Sequence, residues 1–291
     1  MMDSVNFIDK SKPRIKPLFA QLIKDRVVVH NKNAMVLVVG ATGSGKSYGA
    51  LRLAEILDPP DPVTGYEGFT IKRCVFDTEK FLELMKDGLD NNTLRKGSVI
   101  IYDEMGIGHS NRNFYDSLNK ALNFVFQGFR RENLIVFMTV PKLKFVDLQL
   151  RELMHYIIVP KKIDFKRNVL WCKGYIVHQD PMNRDNTPFM IWKAKVGSLD
   201  FDGVRDLEHW GVGMPSEKLR IAYEEKKKKF MFELYDQAKA LAKQIKGERI
   251  KEVGKRAGLG EFTDENMGDK EPVVNPADQG ANIQSEKIVL D

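Results

Sequence analysis

The chain has 291 residues, of which 43% are hydrophobic, 30% charged and 10% aromatic; this balance excludes a disordered or fibrous protein and suits one large α/β domain, alone or with an appendage. No run approaches the roughly 18 consecutive apolar residues of a spanning helix, and the opening residues lack the apolar core of a secretory leader, so a cytoplasmic location is expected. The net charge of +6 is uneven: residues 262–291 hold seven acids and two lysines, which leaves +11 on the rest of the chain.

Taken in chain order, residues 1–25 are basic and mixed, with a short helix expected around Pro17–Ile23. Arg26–His30 and Met35–Val39 read as strands joined by Asn31-Lys32-Asn33. A glycine-rich loop leads to a helix over Lys46–Leu57, stopped by Pro59-Pro60-Asp61-Pro62. Next come a strand at Phe69–Phe76, a helix at Glu79–Lys86, an apolar strand at Ser98–Tyr102 and a helix at Tyr115–Phe129. The strand Leu134–Met138, the helix Phe145–Leu153 and the strand Tyr156–Val159 follow. Continuously apolar strands alternating with helices predict a mostly parallel sheet covered on both faces. Beyond Pro160, Asn168–His178 and Phe189–Val196 read as an antiparallel pair, either an edge of the same sheet or a projecting hairpin. From Pro215 to about Arg249 runs one long helix, with Leu219, Tyr223, Phe230, Leu234, Leu241 and Ile245 spaced by fours and sevens. The two cysteines, Cys74 and Cys172, form neither a disulfide framework nor a metal spacing, and the five histidines do not cluster.

Residues 40–47 read Gly40-Ala41-Thr42-Gly43-Ser44-Gly45-Lys46-Ser47, the G-x-x-x-x-G-K-S pattern of a P-loop, between an expected strand and an expected helix. Its glycines let several backbone N–H groups turn inward onto phosphate, and the helix start adds its own free N–H groups. Lys46 reaches the β- and γ-phosphates, Ser47 offers a hydroxyl to Mg²⁺, and Tyr48 closes the nucleotide-binding stretch. The strand Ser98–Tyr102 ends in Asp103-Glu104. Asp103 is the candidate that holds hydrated Mg²⁺, and Glu104 the candidate that polarises the attacking water. A second acid at that point favours ATP hydrolysis over a switch or kinase. Thr139 ends the strand Leu134–Met138; if that strand lies between the P-loop strand and the Asp103 strand, Thr139 faces the γ-phosphate. Arg130, Arg131 and Arg151 are candidates for a cation directed at a neighbouring subunit's nucleotide. The loop Gly106–Asn113 reads either as a coupling loop or as a helix entry.

Together, Gly40–Ser47, Ser98–Glu104 and Leu134–Thr139 followed by Val146–Leu153 resemble the FtsK/HerA-type P-loop ATPases, a group of DNA-pumping motors, conjugative coupling proteins and viral genome-packaging ATPases. The Arg151-Glu152-Leu153 stretch before Tyr156–Val159 looks most like the zonula-occludens-toxin-like branch and small archaeal viral ATPases. The resemblance spans roughly residues 30–160. It implies a homo-oligomeric ring, commonly a hexamer, with ATP at subunit interfaces and one of the three arginines acting across them; for a virus it implies host cytoplasm. The chain departs from the family in having Thr139 where many members carry glutamine, and in lacking the apolar anchor usual in the toxin-like branch.

Residues 226–256 contain eleven Lys and Arg and four acids. Lys226, Lys227, Lys228, Lys229, Lys239, Lys243 and Lys246 are candidate contacts to the backbone of double-stranded DNA. A solvated helix face packed on the core by its other side reads equally well, and so, less directly, does a surface that lies on anionic membrane. The expected organisation is a basic segment at 1–25, a P-loop ATPase core at 26–165, an antiparallel extension at 166–214, a basic amphipathic helical region at 215–261 and a disordered acidic tail at 262–291. The expected function is an ATP-driven DNA translocase or packaging motor; the alternatives are an assembly ATPase acting on viral coat or capsid protein and a nucleotide-dependent structural module.

Overall fold

The computed structural model describes residues 18–104, 132–146, 148–178, 190–193, 195–197, 204–206 and 210–256. The expected helix Tyr115–Phe129, the loop Gly106–Asn113, Arg130, Arg131 and the acidic tail lie outside the described residues. The chain divides into two compact units, Met1–Phe232 and Glu233–Asp291.

The first unit is built on an eight-stranded sheet. Its strands are β1 (Ala34–Val39), β2 (Cys74–Val75), β3 (Val99–Tyr102), β4 (Ile135–Val140), β5 (Tyr156–Asp164), β6 (Val169–His178), β7 (Met190–Lys193) and β10 (Trp210–Gly213), in the order β10-β6-β5-β1-β4-β3-β2 with β7 also on β6. The strands β8 (Lys195–Gly197) and β9 (Val204–Asp206) pair separately. From β5 to β2 all pairings are parallel, whereas β6 runs antiparallel to β5, β7 and β10. The fold is α/β and matches a P-loop NTPase-like core with an antiparallel extension and a long C-terminal helix; its mostly parallel centre is what the alternation of apolar runs predicts.

The sequence of each central strand explains its place. β1 is Ala-Met-Val-Leu-Val-Val and β4 is Ile-Val-Phe-Met-Thr-Val; every residue of β4 and all but the last of β1 are buried. Apolar character on both faces needs cover on both faces, which only a central parallel strand receives. The register pairs Val38 with Thr139 and Tyr102 with Met138, so Thr139 stands beside the end of β3. Strand order turns at β1, with β5 on one side and β4 on the other, and sheets of this kind bind ligands at the carboxyl ends of the strands flanking such a point.

Helix α2 (Lys46–Leu57) buries Ala50, Leu51, Leu53, Ala54 and Leu57 and ends where Pro59 and Pro60 forbid continuation. Helix α3 (Thr78–Asp90) is capped by Asp77, which accepts a hydrogen bond from Lys80 N at 2.8 Å, and buries Phe81 and Met85. Helix α4 (Leu148–Leu153) follows a single 3₁₀ turn at Leu143–Phe145, shorter than the expected helix from Phe145.

Three expectations are corrected. Arg26–His30 is not a strand; helix α1 covers Leu18–Val28. Phe19, Ile23 and Val27 recur every four residues and are fully buried, whereas Val28 and Val29 are exposed, so helical spacing overrides the β-branched run. The strand expected over Phe69–Phe76 shrinks to Cys74–Val75, because Ile71–Arg73 forms a 3₁₀ turn that sends the Arg73 side chain inward to Asp58. Strand β5 runs past Val159 to Asp164; Pro160 lies beyond the last β1 pairing, at Ile158, where its missing N–H is not needed, and the pairing with β6 shifts between Pro160 and Lys162. The antiparallel pair is thus an edge of the main sheet.

Helix α1 closes on the antiparallel edge through Phe19, whose ring stacks on Trp210 at 5.1 Å and meets Tyr156 edge-on at 5.6 Å. A Cβ on Gly174 would stand within the van der Waals envelope of the Phe19 ring. Gly174→Ala will therefore destabilise the fold by about 1–3 kcal/mol, the usual cost of overpacking, read from the denaturant midpoint at unchanged m-value.

Helix α5 (Glu217–Arg256) begins in the first unit and continues in the second. Ser216 opens it, its hydroxyl accepting from Leu219 N at 3.4 Å, and its own N–H donates to both Glu55 carboxylate oxygens at 3.1 Å. Leu219, Tyr223 and Phe230 are buried, with the Phe230 ring stacked on Phe76 at 4.9 Å. No helix of the described residues is long and apolar enough to cross a membrane.

Candidate functional site

The loop after β1 turns on two glycines in the left-handed region, Gly43 at φ 77° and Gly45 at φ 84°, before α2 starts at Lys46. Side chains rarely adopt that conformation, so these positions require glycine. Nothing stands within 4 Å of a Cβ placed on Gly43, so the requirement there is one of backbone conformation and not of space. No side chain caps α2. The Ser44 hydroxyl is buried and has no hydrogen-bond partner among the described residues. Lys46 lies along the loop, its Nζ donating to Ala41 O at 2.9 Å. Burial lowers the pKa of its ammonium; Asp103 and Glu104 oppose that shift, and Lys227 adds to it.

The acidic end of β3 meets this loop. Asp103 is fully buried, and its backbone N–H donates to Val75 O at 2.8 Å. Its Oδ1 accepts from the Ser47 hydroxyl at 2.9 Å and from the Thr139 hydroxyl at 2.6 Å. Thr139 Oγ1 in turn accepts from Glu104 N at 2.8 Å. Thr139 therefore ties both acids to β4. Glu104 has φ 54°, an unusual conformation for a side-chain-bearing residue; held this way, the chain turns so that consecutive acids, which a strand would send to opposite faces, approach one site. The P-loop, Asp103, Glu104 and Thr139 are thus brought together at one end of the sheet. The core has the fold of P-loop NTPases.

The donor set fits a magnesium–triphosphate complex. The first turn of α2, which no side chain caps, and the Lys46 ammonium suit phosphate oxygens, and the Ser47 hydroxyl beside the Asp103 carboxylate suits a hard cation that draws its other ligands from phosphate and water. Among the described residues no three His, Cys, Asp or Glu side chains gather to hold a metal on their own.

Three further residues enter the site from α5. The Tyr223 hydroxyl donates to Asp103 Oδ2 at 2.6 Å. Burial, and then the Asp103 carboxylate, raise the pKa of this phenol far above its ordinary value, so it remains a donor. Lys227 Nζ lies 2.6 Å from Glu104 Oε1 and donates to Tyr223 OH at 3.2 Å. Tyr48 OH donates to Glu224 Oε1 at 2.9 Å. A cavity of about 370 Å³ joins Gly43, Lys46, Ser47, Glu104 and Lys227 to an apolar wall from β5 and β6 that includes Ile163 and Leu170.

Of the remaining sequence-predicted site residues that are described, Arg151 and the lysines other than Lys227 stand apart. Arg151 donates from Nε to Val146 O at 2.7 Å and is not among the residues that line the cavity. Lys226 donates to Ile71 O at 3.0 Å, against the core. Lys228, Lys229, Lys239 and Lys243 are exposed, and the Lys246 side chain lies outside the described set. Sequence reading takes Tyr223 as an apolar spacer and Lys227 as one of a basic run, and misses their place at the site. The only local signal is that they are four apart, hence on one helical face.

No protein-family model matches the chain, and no curated protein matches it in sequence. Among solved structures it is similar to the N-terminal domain of zonular occludens toxin from Neisseria meningitidis (16% identity, TM-score 0.32, 55% of this chain and 94% of that one). It is likewise similar to the DNA-packaging ATPase of Sulfolobus Turreted Icosahedral Virus (16% identity, TM-score 0.32, 55% of this chain and 97% of that one). A KaiC-like protein from Pyrococcus horikoshii also matches (14% identity, TM-score 0.28, 55% of this chain and 90% of that one). At these identities and scores the likenesses carry no weight on activity or substrate; the site itself does.

Proposed function

We propose that the chain is an Mg²⁺-dependent ATPase that works as a ring, a hexamer, and moves or packages double-stranded DNA in the cytoplasm, the host's if the protein is viral. The observation that carries the ATPase reading is the junction of Ser47, Asp103, Thr139 and Glu104 beside the phosphate loop. In this reading the loop 40–48 cradles the phosphates through those of its N–H groups not already given to carbonyls, as Gly40 N is to Val140 O and Ser44 N to Ala41 O, together with the Lys46 ammonium, and Ser47 and Asp103 hold Mg²⁺. When bound, the metal neutralises charge on the phosphate oxygens. Glu104 takes a proton from the attacking water. Thr139 positions the two acids. Arg130, Arg131 and Arg151 remain the candidates for a cation supplied across a subunit interface.

The DNA part of the reading rests on charge. Lys228, Lys229, Lys239 and Lys243 are exposed on a helix whose residues 226–256 carry eleven basic and four acidic side chains. Such a stripe gathers phosphate backbone without reading sequence. Double-stranded DNA is expected to raise steady-state phosphate release several-fold. Replacing these four lysines by glutamate is expected to abolish the stimulation, and each DNA phosphate left unneutralised will flatten the log–log salt dependence of DNA binding by about 0.9. A rate that no DNA changes, single- or double-stranded, overturns the DNA substrate and leaves the ATPase reading standing.

A further inference from the structure

Lys227 is a second cation at the nucleotide cavity, and its present partner is the residue proposed as the base. Its Nζ lies 2.6 Å from Glu104 Oε1, with both side chains largely sheltered, 27% and 20% exposed. An ammonium at that distance occupies a lone pair of Oε1 and stands where a water would have to sit to donate to it. While Lys227 stays there, Glu104 Oε1 is taken, and it meets a water only once Lys227 has another partner.

Besides Glu104, Lys227 reaches only the Tyr223 hydroxyl, at 3.2 Å, among the bonds of the described residues, and the helix around it is held independently of its ammonium. The helix turns that carry it are fixed on both sides: Ser216 N bonds Glu55, Tyr48 bonds Glu224, Tyr223 bonds Asp103, and Phe230 stacks on Phe76. Lys227 itself is a point charge on a flexible four-carbon stem. It lines the same cavity as Gly43, Lys46 and Ser47, the groups that the nucleotide reading assigns to phosphate.

Resting on that reading, we propose that Lys227 is the sensor of the terminal phosphate, supplied in cis: it exchanges Glu104 for the γ-phosphate and thereby frees Glu104 only when a triphosphate is bound. The diphosphate offers no such partner, so Lys227 stays with Glu104. The exchange is one of ion pairs, with no covalent change. Lys227 is a positioning residue toward Glu104 and a ligand toward the phosphate.

The test is equilibrium binding, independent of turnover. ADP and a non-hydrolysable ATP analogue, each with Mg²⁺, are titrated calorimetrically into the full chain and into Lys227→Met, Lys227→Arg and Glu104→Gln. Lys227→Met is expected to weaken the analogue roughly 10–100-fold, as loss of one charge-assisted hydrogen bond does, while ADP affinity changes less than about threefold on the same principle of an uncontacted group. Lys227→Arg should restore most of the discrimination. Glu104→Gln, which releases the lysine, should raise the analogue-to-ADP affinity ratio above that of the native chain. Equal losses for both nucleotides in Lys227→Met, or an unchanged ratio in Glu104→Gln, overturn the role of Lys227 while ADP binding by the native chain upholds the nucleotide site. Failure of the native chain to bind ADP overturns both.

Discussion

Glu104→Gln will lower steady-state ATP turnover by about 10²–10⁴-fold, the usual contribution of a positioned general base, and will leave nucleotide binding in place. The substitution keeps the side chain's size and its exit from the left-handed turn at φ 54°, so the tie from Glu104 N to Thr139 persists. Asp103 keeps its bonds from Ser47, Thr139 and Tyr223. What is lost, on the proposed function, is the carboxylate assigned to take the proton of the attacking water. Single-turnover phosphate release and nucleotide titration on one preparation check the split. Turnover within a few-fold of native would assign water activation to another group, and loss of binding would make Glu104 a structural residue.

Asp58→Ala will destabilise the fold by about 3–5 kcal/mol, because it strands a buried guanidinium. Asp58 ends α2 and is almost fully buried. Its Oδ2 accepts from Arg73 Nη1 at 2.7 Å, from Val99 N at 3.0 Å and from Tyr66 OH at 3.2 Å. Arg73 also donates to Gly68 O and lies near the rings of Tyr66 and Phe69. One carboxylate thus joins the C-terminus of the P-loop helix to the start of the strand that ends in Asp103. Urea denaturation reads the loss. The double variant Asp58→Ala with Arg73→Met should recover part of it, since no unpaired charge then remains buried. A single variant within about 1 kcal/mol of native would contradict a stability role of this size.

The sequence discloses those parts of the molecule whose chemistry is local. A strand, eight loop residues and a helix in succession define the phosphate loop. An apolar run ending in Asp103-Glu104 declares its carboxylates, and the fully apolar β1 and β4 declare their central place. The errors arise where short-range signals conflict. Val27, Val28 and Val29 look like a strand, but Phe19, Ile23 and Val27 settle the segment as a helix by packing. Arg73 sits inside a strand-like run, yet its partner Asp58 draws the chain into a turn. Tyr223 and Lys227 are unreadable for another reason: their partners lie 120 and 123 residues away, and no spacing in the chain encodes contacts of that separation. A buried tyrosine and a sheltered lysine have the same letters as a core spacer and a solvated charge. Only the docking of α5 on the open end of the sheet distinguishes them.

The central claim is that the loop at 40–47 and the carboxylates at 103–104 serve one magnesium-bound triphosphate. The most direct measurement is phosphate release from ATP by the purified full chain, in Mg²⁺ and then in excess EDTA, with Lys46→Ala alongside. The expected result is steady release in Mg²⁺ that stops in EDTA and is absent from Lys46→Ala. No release from the native chain in Mg²⁺, or release that EDTA and Lys46→Ala leave untouched, would contradict it.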